Sequence, residues 1–446
     1  MSVTTELNKI TAVNVHNTLR KHLLVDGYDM VFDVDKSHGS YLYDSKHDKQ
    51  YVDFFTFYAS NPIGFNHPSV ANDEAFHKRL LKAAIVKPAN PDIYTEEMAE
   101  FVDTFSRVGI PDYLPHMFLI DGGALAVENA LKVAFDWKVR KNFEKGHIVE
   151  KGHQVIHFKQ AFHGRSGYTM SLTNTVPDKT DYFPKFKWPR INNPKMHFPL
   201  TDESIVKTAK SEELAINQIH QAISENRDDI AAIILEPIQA EGGDNHFTIS
   251  FLKKLRQIAD DNEIMLIFDE VQSGYGLTGK FWAHQHFVNP DVIAFGKKAQ
   301  ICGILCSKRV DEVEDNVFHK SSRINSTWGG NLTDMVRATK FLEIIEAENL
   351  VEHAAITGNY LLSQIQKLSE DFEGIITNPR GRGLMCAFDM NSSKERNNFL
   401  DETYENGLMV LGCGDRSIRF RPALNITNKV IDEGFEIIRT TLKKTY

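Results

Sequence analysis

Apolar positions along this chain follow two periods. In the middle third, Ile230–Leu235, Met265–Phe268 and Val292–Phe295 are near-continuous apolar runs rather than alternating ones. Strands of that kind are covered on both faces, which predicts a parallel or mixed sheet. Around them the period is helical. Residues 124–137 set Ala124, Val127, Leu131, Ala134 and Trp137 on one stripe, and residues 335–345 do the same with Met335, Ala338, Phe341, Leu342 and Ile345. A last helix is predicted to start from Thr427 as its N-cap and to bury Val430, Ile431, Phe435, Ile438 and Leu442.

Alternation of short strands and helices predicts an α/β domain whose ligands sit beyond the carboxyl ends of the strands. Chemistry is therefore expected just after Leu235, Phe268 and Phe295. With 446 residues the chain outgrows a single core, so two subdomains are expected. A net charge of −9 gives no footing for a nucleic-acid or anionic-membrane partner. Cys302, Cys306, Cys386 and Cys413 form no C-x-x-C pair and match no zinc spacing, so no metal site is expected. Cys302 and Cys306 read as small buried apolar residues. The first residues, Met1 to Lys9, carry no apolar signal core, and no apolar run approaches the roughly 20 residues of a membrane span. Together these features point to a cytoplasmic protein.

The strand ends carry a particular set of groups. Asp269, Glu270, Val271 and Gln272 follow Phe268; Gly296, Lys297 and Lys298 follow Phe295; Glu236 and, further on, Glu241-Gly242-Gly243 follow Leu235. Taken singly, a strand-end aspartate is usually a turn residue and a strand-end lysine is usually solvated. As a pair they are what a pyridoxal cofactor needs: a lysine for the Schiff base and a carboxylate to keep the pyridine nitrogen protonated. Gly122-Gly123-Ala124, opening the helix at 124–137, would admit the cofactor's phosphate to backbone N–H groups at a helix N-terminus. By itself that segment reads rather as a tight turn at a helix entry.

Asp269-Glu270-Val271-Gln272 with Gly274, Gly276 and Gly279, then Phe295-Gly296-Lys297, resembles the class III (ω-amino-acid) aminotransferases. Ala161-Phe162-His163-Gly164-Arg165, Leu235-Glu236-Pro237, Ser326-Thr327, Arg380-Gly381-Arg382-Gly383 and Arg419-Phe420-Arg421-Pro422 extend the resemblance from about residue 20 to the C-terminus. It implies the fold-type-I pyridoxal-phosphate architecture, a large domain with a mainly parallel seven-stranded sheet and a smaller α+β domain. Residues 81–334 would form the large domain, 1–80 an N-terminal part of the small one, and 335–446 its C-terminal part. A homodimer with shared active sites is also implied.

Roles follow by position in the motifs. Lys297 resembles the cofactor-bearing lysine, with Lys298 as the next candidate. Asp269 would face the pyridine nitrogen, Gln272 the ring hydroxyl and Phe162 the ring face. Gly123 and Ala124, with Thr327 from the partner, would hold the phosphate. The chain departs from the family where Gly122 replaces a serine, Leu125 replaces a glutamate, and Lys298–Gly303 replaces a glycine-rich stretch.

Over its whole length the chain is most similar to the L-lysine 6-aminotransferase branch, carried by Phe162–Met170 and Asn325–Asn331. That branch moves the ε-amino group of L-lysine to 2-oxoglutarate, leaving 2-aminoadipate 6-semialdehyde, which cyclises, and L-glutamate. Arg165 suits the α-carboxylate of lysine and the γ-carboxylate of glutamate; Arg419 suits the α-carboxylate of glutamate. With lysine bound, Arg419 lacks a partner, and Glu241 is placed to neutralise it. The competing readings are an ω-aminotransferase for ornithine or 4-aminobutyrate, an aminomutase, and a cofactor-binding protein without catalysis. Donor selectivity would depend on pocket length, for which Phe54–Ser60 is the candidate segment.

Overall fold

The computed structural model describes residues 9–446, so the reading of the first residues up to position 8 lies outside it. Seven strands form one sheet in the order His116–Ile120, Cys302–Cys306, Val292–Phe295, Met265–Asp269, Ile230–Leu235, Gln154–Phe158 and Arg190–Ile191. All neighbours run parallel except at Cys302–Cys306, which is antiparallel to both of its own. The three apolar runs singled out above form consecutive central strands.

Their lack of alternation has a direct cause. Ile233, Leu235, Leu266, Phe268, Ile293 and Phe295 enter one core, while Ala232, Ile234, Met265, Ile267, Val292 and Ala294 enter another. Successive side chains of a strand point to opposite faces, and here both faces are buried. Helix Ile249–Asp261 packs on one face and Gly123–Glu144 on the other. The second of these is buried more widely than its predicted stripe: Ala126, Ala130 and Val133 are also inside.

The last helix, Asn428–Thr445, is capped as expected, with the Thr427 hydroxyl accepting from the Val430 N–H at 3.4 Å. Together with Leu350–Asp371 and Ser393–Glu405 it covers an antiparallel sheet ordered Thr377–Arg382, Met385–Asp389, Ser417–Phe420, Leu411–Cys413. A third sheet joins Tyr41–Asp44 and Lys49–Asp53 to Leu408–Met409, tying the N-terminal region to the C-terminal one. The division points expected at 80/81 and 334/335 lie within helices Glu74–Ile85 and Leu332–Ala347, which pack on each other. No helix among the described residues is long and apolar enough to cross a membrane.

Candidate active site

Beyond the carboxyl edge of the large sheet lies a cavity of about 350 Å³, lined by Gly123, Ala124, Phe162, Glu241, Asp269, Gln272 and Lys297 among others. Seven of the ten candidate residues thus meet in one place. A larger cavity, about 490 Å³ and lined by Lys132, Asp136, Arg140 and Arg323 among others, contains none of them.

Lys297 follows the strand Val292–Phe295 with φ +52°, a left-handed conformation that costs a non-glycine residue energy and is characteristic of functional sites. Gly296 before it passes so close to Cys302 that a Cβ would lie 2.8 Å from the sulfur. Burial, reinforced by the Arg419 guanidinium, pulls the Lys297 amine down to about 8. Lys298 is fully buried, outside the cavity lining, and its Nζ has no hydrogen-bond partner among the described residues. Burial holds that amine well below its ordinary value.

Asp269 closes the neighbouring strand. Its Oδ1 accepts from the Val271 N–H at 3.1 Å, and its Oδ2 lies 2.8 Å from Nδ1 of the buried His163. Glu236, at the end of the next strand, accepts from the N–H groups of Phe162 at 3.0 Å and Ala240 at 2.9 Å. Burial, with the nearby Asp269 charge adding and His163 opposing, pushes the Glu236 carboxyl up to about 7. Glu236 thereby anchors the backbone that presents Phe162 to the cavity.

At one end of the cavity, Gly122 caps helix Gly123–Glu144 with φ +97°, no side-chain cap bond and no acid in the first turn. The first N–H groups of that helix are therefore free to face an anion. At the other end stand two arginines of the small sheet. Ile418 and Phe420 enter the core, and the strand period sends Arg419 and Arg421 to the opposite side. Both donate to Gln272 Oε1, at 3.2 Å from Arg419 and 2.9 Å from Arg421. Arg421 also pairs with Asp244. The Nη2 of Arg419 reaches Glu241 Oε2 at 2.7 Å, and the other Glu241 oxygen accepts from Lys179 Nζ at 2.6 Å.

Of the other three candidates, Arg419 is buried behind the lining against Glu241 and Gln272, while Arg165 and Thr327 are exposed on the chain surface. Phe54–Ser60 reaches the site indirectly, because Gln300 donates from Nε2 to the Ser60 carbonyl at 2.7 Å. The segment contains a left-handed turn, with φ between +40° and +69° at Thr56, Phe57, Tyr58 and Ala59. Cys302 departs from expectation: it is half-buried and lines the cavity, because an antiparallel strand begins at the carboxyl edge of its parallel neighbour. His163 and Glu236 stood in the motifs without a role, and Lys179 stood in none.

The donor set fits pyridoxal phosphate: an amine eased toward its neutral form, a carboxylate held from two sides, an aromatic ring and an uncapped helix N-terminus. Comparison with known proteins agrees. Residues 25–442 match the family described as Aminotransferase class-III. The L-lysine-epsilon aminotransferase of Mycobacterium tuberculosis is 49% identical over 433 residues, covering 97% of this chain and 96% of that one. The L-lysine-epsilon aminotransferase of Streptomyces clavuligerus is 46% identical over 98% of this chain and 96% of its own. A solved structure of lysine aminotransferase from M. tuberculosis superposes with a TM-score of 0.95 at 48% identity, covering 98% of this chain and 100% of that one. The chain belongs to the class III aminotransferases and depends on pyridoxal phosphate.

Proposed function

We propose that this enzyme moves the ε-amino group of L-lysine to 2-oxoglutarate, yielding 2-aminoadipate 6-semialdehyde and L-glutamate. The observation that carries the reading is the Glu241–Arg419 pair, a buried arginine neutralised by a carboxylate on a loop. A site that takes lysine and a dicarboxylate in turn needs an arginine that is paired in one case and released in the other. Near-half identity to L-lysine-epsilon aminotransferases over almost the whole chain supports lysine as the donor.

Bound pyridoxal phosphate supplies the electron sink for the substrate carbon that loses its proton. Gly123 and Ala124 would hold its phosphate and Phe162 its ring face. Asp269, steadied by His163, would pair with the ring nitrogen. Gln272, held beside the two arginines, would contact the ring hydroxyl. Lys297 Nζ holds and moves the proton at the reacting carbon, a role suited to an amine that burial draws down to about 8. Arg419 binds the α-carboxylate of the dicarboxylate, and Glu241 neutralises it when lysine is present. Arg165 and Thr327, exposed in the single chain, are read as completing a site shared within a homodimer, Arg165 for substrate carboxylate and Thr327 for the phosphate of the other copy.

The test is a donor panel with 2-oxoglutarate, following glutamate and trapping the cyclic product. Lysine should outpace ornithine and 4-aminobutyrate and give the six-membered ring. Preference for either of the other donors overturns the proposal while leaving the family intact.

A further inference from the structure

Glu241 is held by two cations at once, one of which lies outside every motif. Arg419 takes Oε2 from the buried side, while Lys179, in the short turn Pro177–Lys179, takes Oε1 with its own side chain partly exposed. The Lys179 ammonium also stands 5.4 Å from the centroid of the Phe162 ring. Lys179 and Glu241 are each partly exposed, whereas Arg419 is sealed. Burial alone would raise the Glu241 carboxyl, yet Arg419 and Lys179 together hold it below its ordinary value.

We propose that Lys179 is a positioning residue for acceptor specificity: it holds Glu241 after Glu241 leaves Arg419. This rests on the proposed reading that one site serves both an amine donor and a dicarboxylate. When an α-carboxylate takes Arg419, Glu241 must give up its buried partner. A half-buried carboxylate left without a cation carries a desolvation cost. Lys179 removes that cost by staying with Glu241 on its partly exposed side. It therefore biases the loop toward the state in which Arg419 is open to 2-oxoglutarate and glutamate, and it contacts neither substrate.

In a ping-pong enzyme kcat/KM for each substrate reports its own half of the cycle, so the two halves are read separately. In the holoenzyme, K179M should lower kcat/KM for 2-oxoglutarate about tenfold, the equivalent of losing one charge-assisted contact. The value for the donor should stay within about twofold, since lysine needs Glu241 on Arg419. K179R should restore the acceptor value. In an E241Q background, K179M should add no further loss. A fall of equal size for donor and acceptor, or no change for 2-oxoglutarate, overturns the inference. A structural defect would depress both halves and the bound-cofactor absorbance together, and K179R would not single out the acceptor. The readout lies on the acceptor side, so a wild-type preference for ornithine or 4-aminobutyrate would overturn the proposed donor and leave this measurement decisive.

Discussion

His163 and Asp269 share a buried contact, with Nδ1 and Oδ2 2.8 Å apart and both side chains closed to solvent. A carboxylate only accepts, so Nδ1 is the donor and the imidazole fixes the direction in which Asp269 faces the cavity. H163F removes that donor and leaves Asp269 with the Val271 N–H alone. A lost hydrogen bond to a charged group costs about 1.5–3 kcal/mol, which should appear as weaker cofactor retention on dialysis and a matching loss in kcat. H163N, which keeps a donor, should recover part of both. Cofactor content unchanged in H163F would refute the assignment.

Lys297 carries the pH dependence. Its amine is drawn below the ordinary lysine value to about 8, so its neutral, nucleophilic fraction grows as pH rises through about 8. The cofactor-free enzyme should capture added pyridoxal phosphate faster with rising pH and level off above that value. Stopped-flow absorbance gives the profile, and a midpoint near 10 would contradict it. K297A should abolish both stable capture and turnover.

Glu241 should matter unequally for the two substrates. E241Q removes the charge that neutralises Arg419 with lysine present, so kcat/KM for lysine should fall at least about tenfold more than for glutamate, or about 1.4 kcal/mol. Equal losses would show that Glu241 is a fixed loop residue.

The Glu241 loop has a steric hinge point at Gly242, where an added Cβ would run into the Gln160 carbonyl oxygen. Backbone cannot step aside as a side-chain tip can. G242A should cost about 1–3 kcal/mol in stability by denaturant titration. Unaltered stability would mean that this loop shifts freely.

Lys298 should be dispensable. Its amine is buried without a partner, and replacing an orphaned buried polar group by an apolar one of similar shape removes about 1–3 kcal/mol of desolvation cost. K298M should therefore unfold at higher denaturant and keep turnover. Lost turnover in K298M beside retained turnover in K297A would exchange their roles.

The sequence made the central sheet legible because its strands are buried on both faces, leaving uninterrupted apolar runs at 230–235, 265–268 and 292–295. It also marked the ends of those strands, which is why Lys297, Asp269 and Glu241 could be named. What it hid were partnerships across long separations. His163 meets Asp269 from over a hundred positions away, and Lys179 meets Glu241 from an unremarkable turn. Neither pairing leaves a period or spacing to read. Cys302 differs from its expected burial for a related reason: its exposure depends on the direction of its strand, which an apolar run does not encode.

The left-handed turn at Thr56–Ala59 bears on how this enzyme can change. Four consecutive L-residues there occupy a conformation disfavoured by roughly 1–2 kcal/mol each. The turn is pinned by Asp53, which accepts from the N–H groups of Phe55 and Thr56 at 2.8 Å, and by the Arg421 carbonyl, which takes the Thr56 hydroxyl. Phe57 and Tyr58 are partly exposed, with the Phe57 ring against Phe32, Phe55 and Phe65 and the Tyr58 ring against Phe55. Glycine or asparagine at either position would relieve backbone strain while removing a large aromatic ring. Altered substrate range is ordinarily bought with lost stability. At Tyr58 that relief is set against one ring contact and at Phe57 against three, so Tyr58 is the position of the turn that can change with the smaller loss of stability.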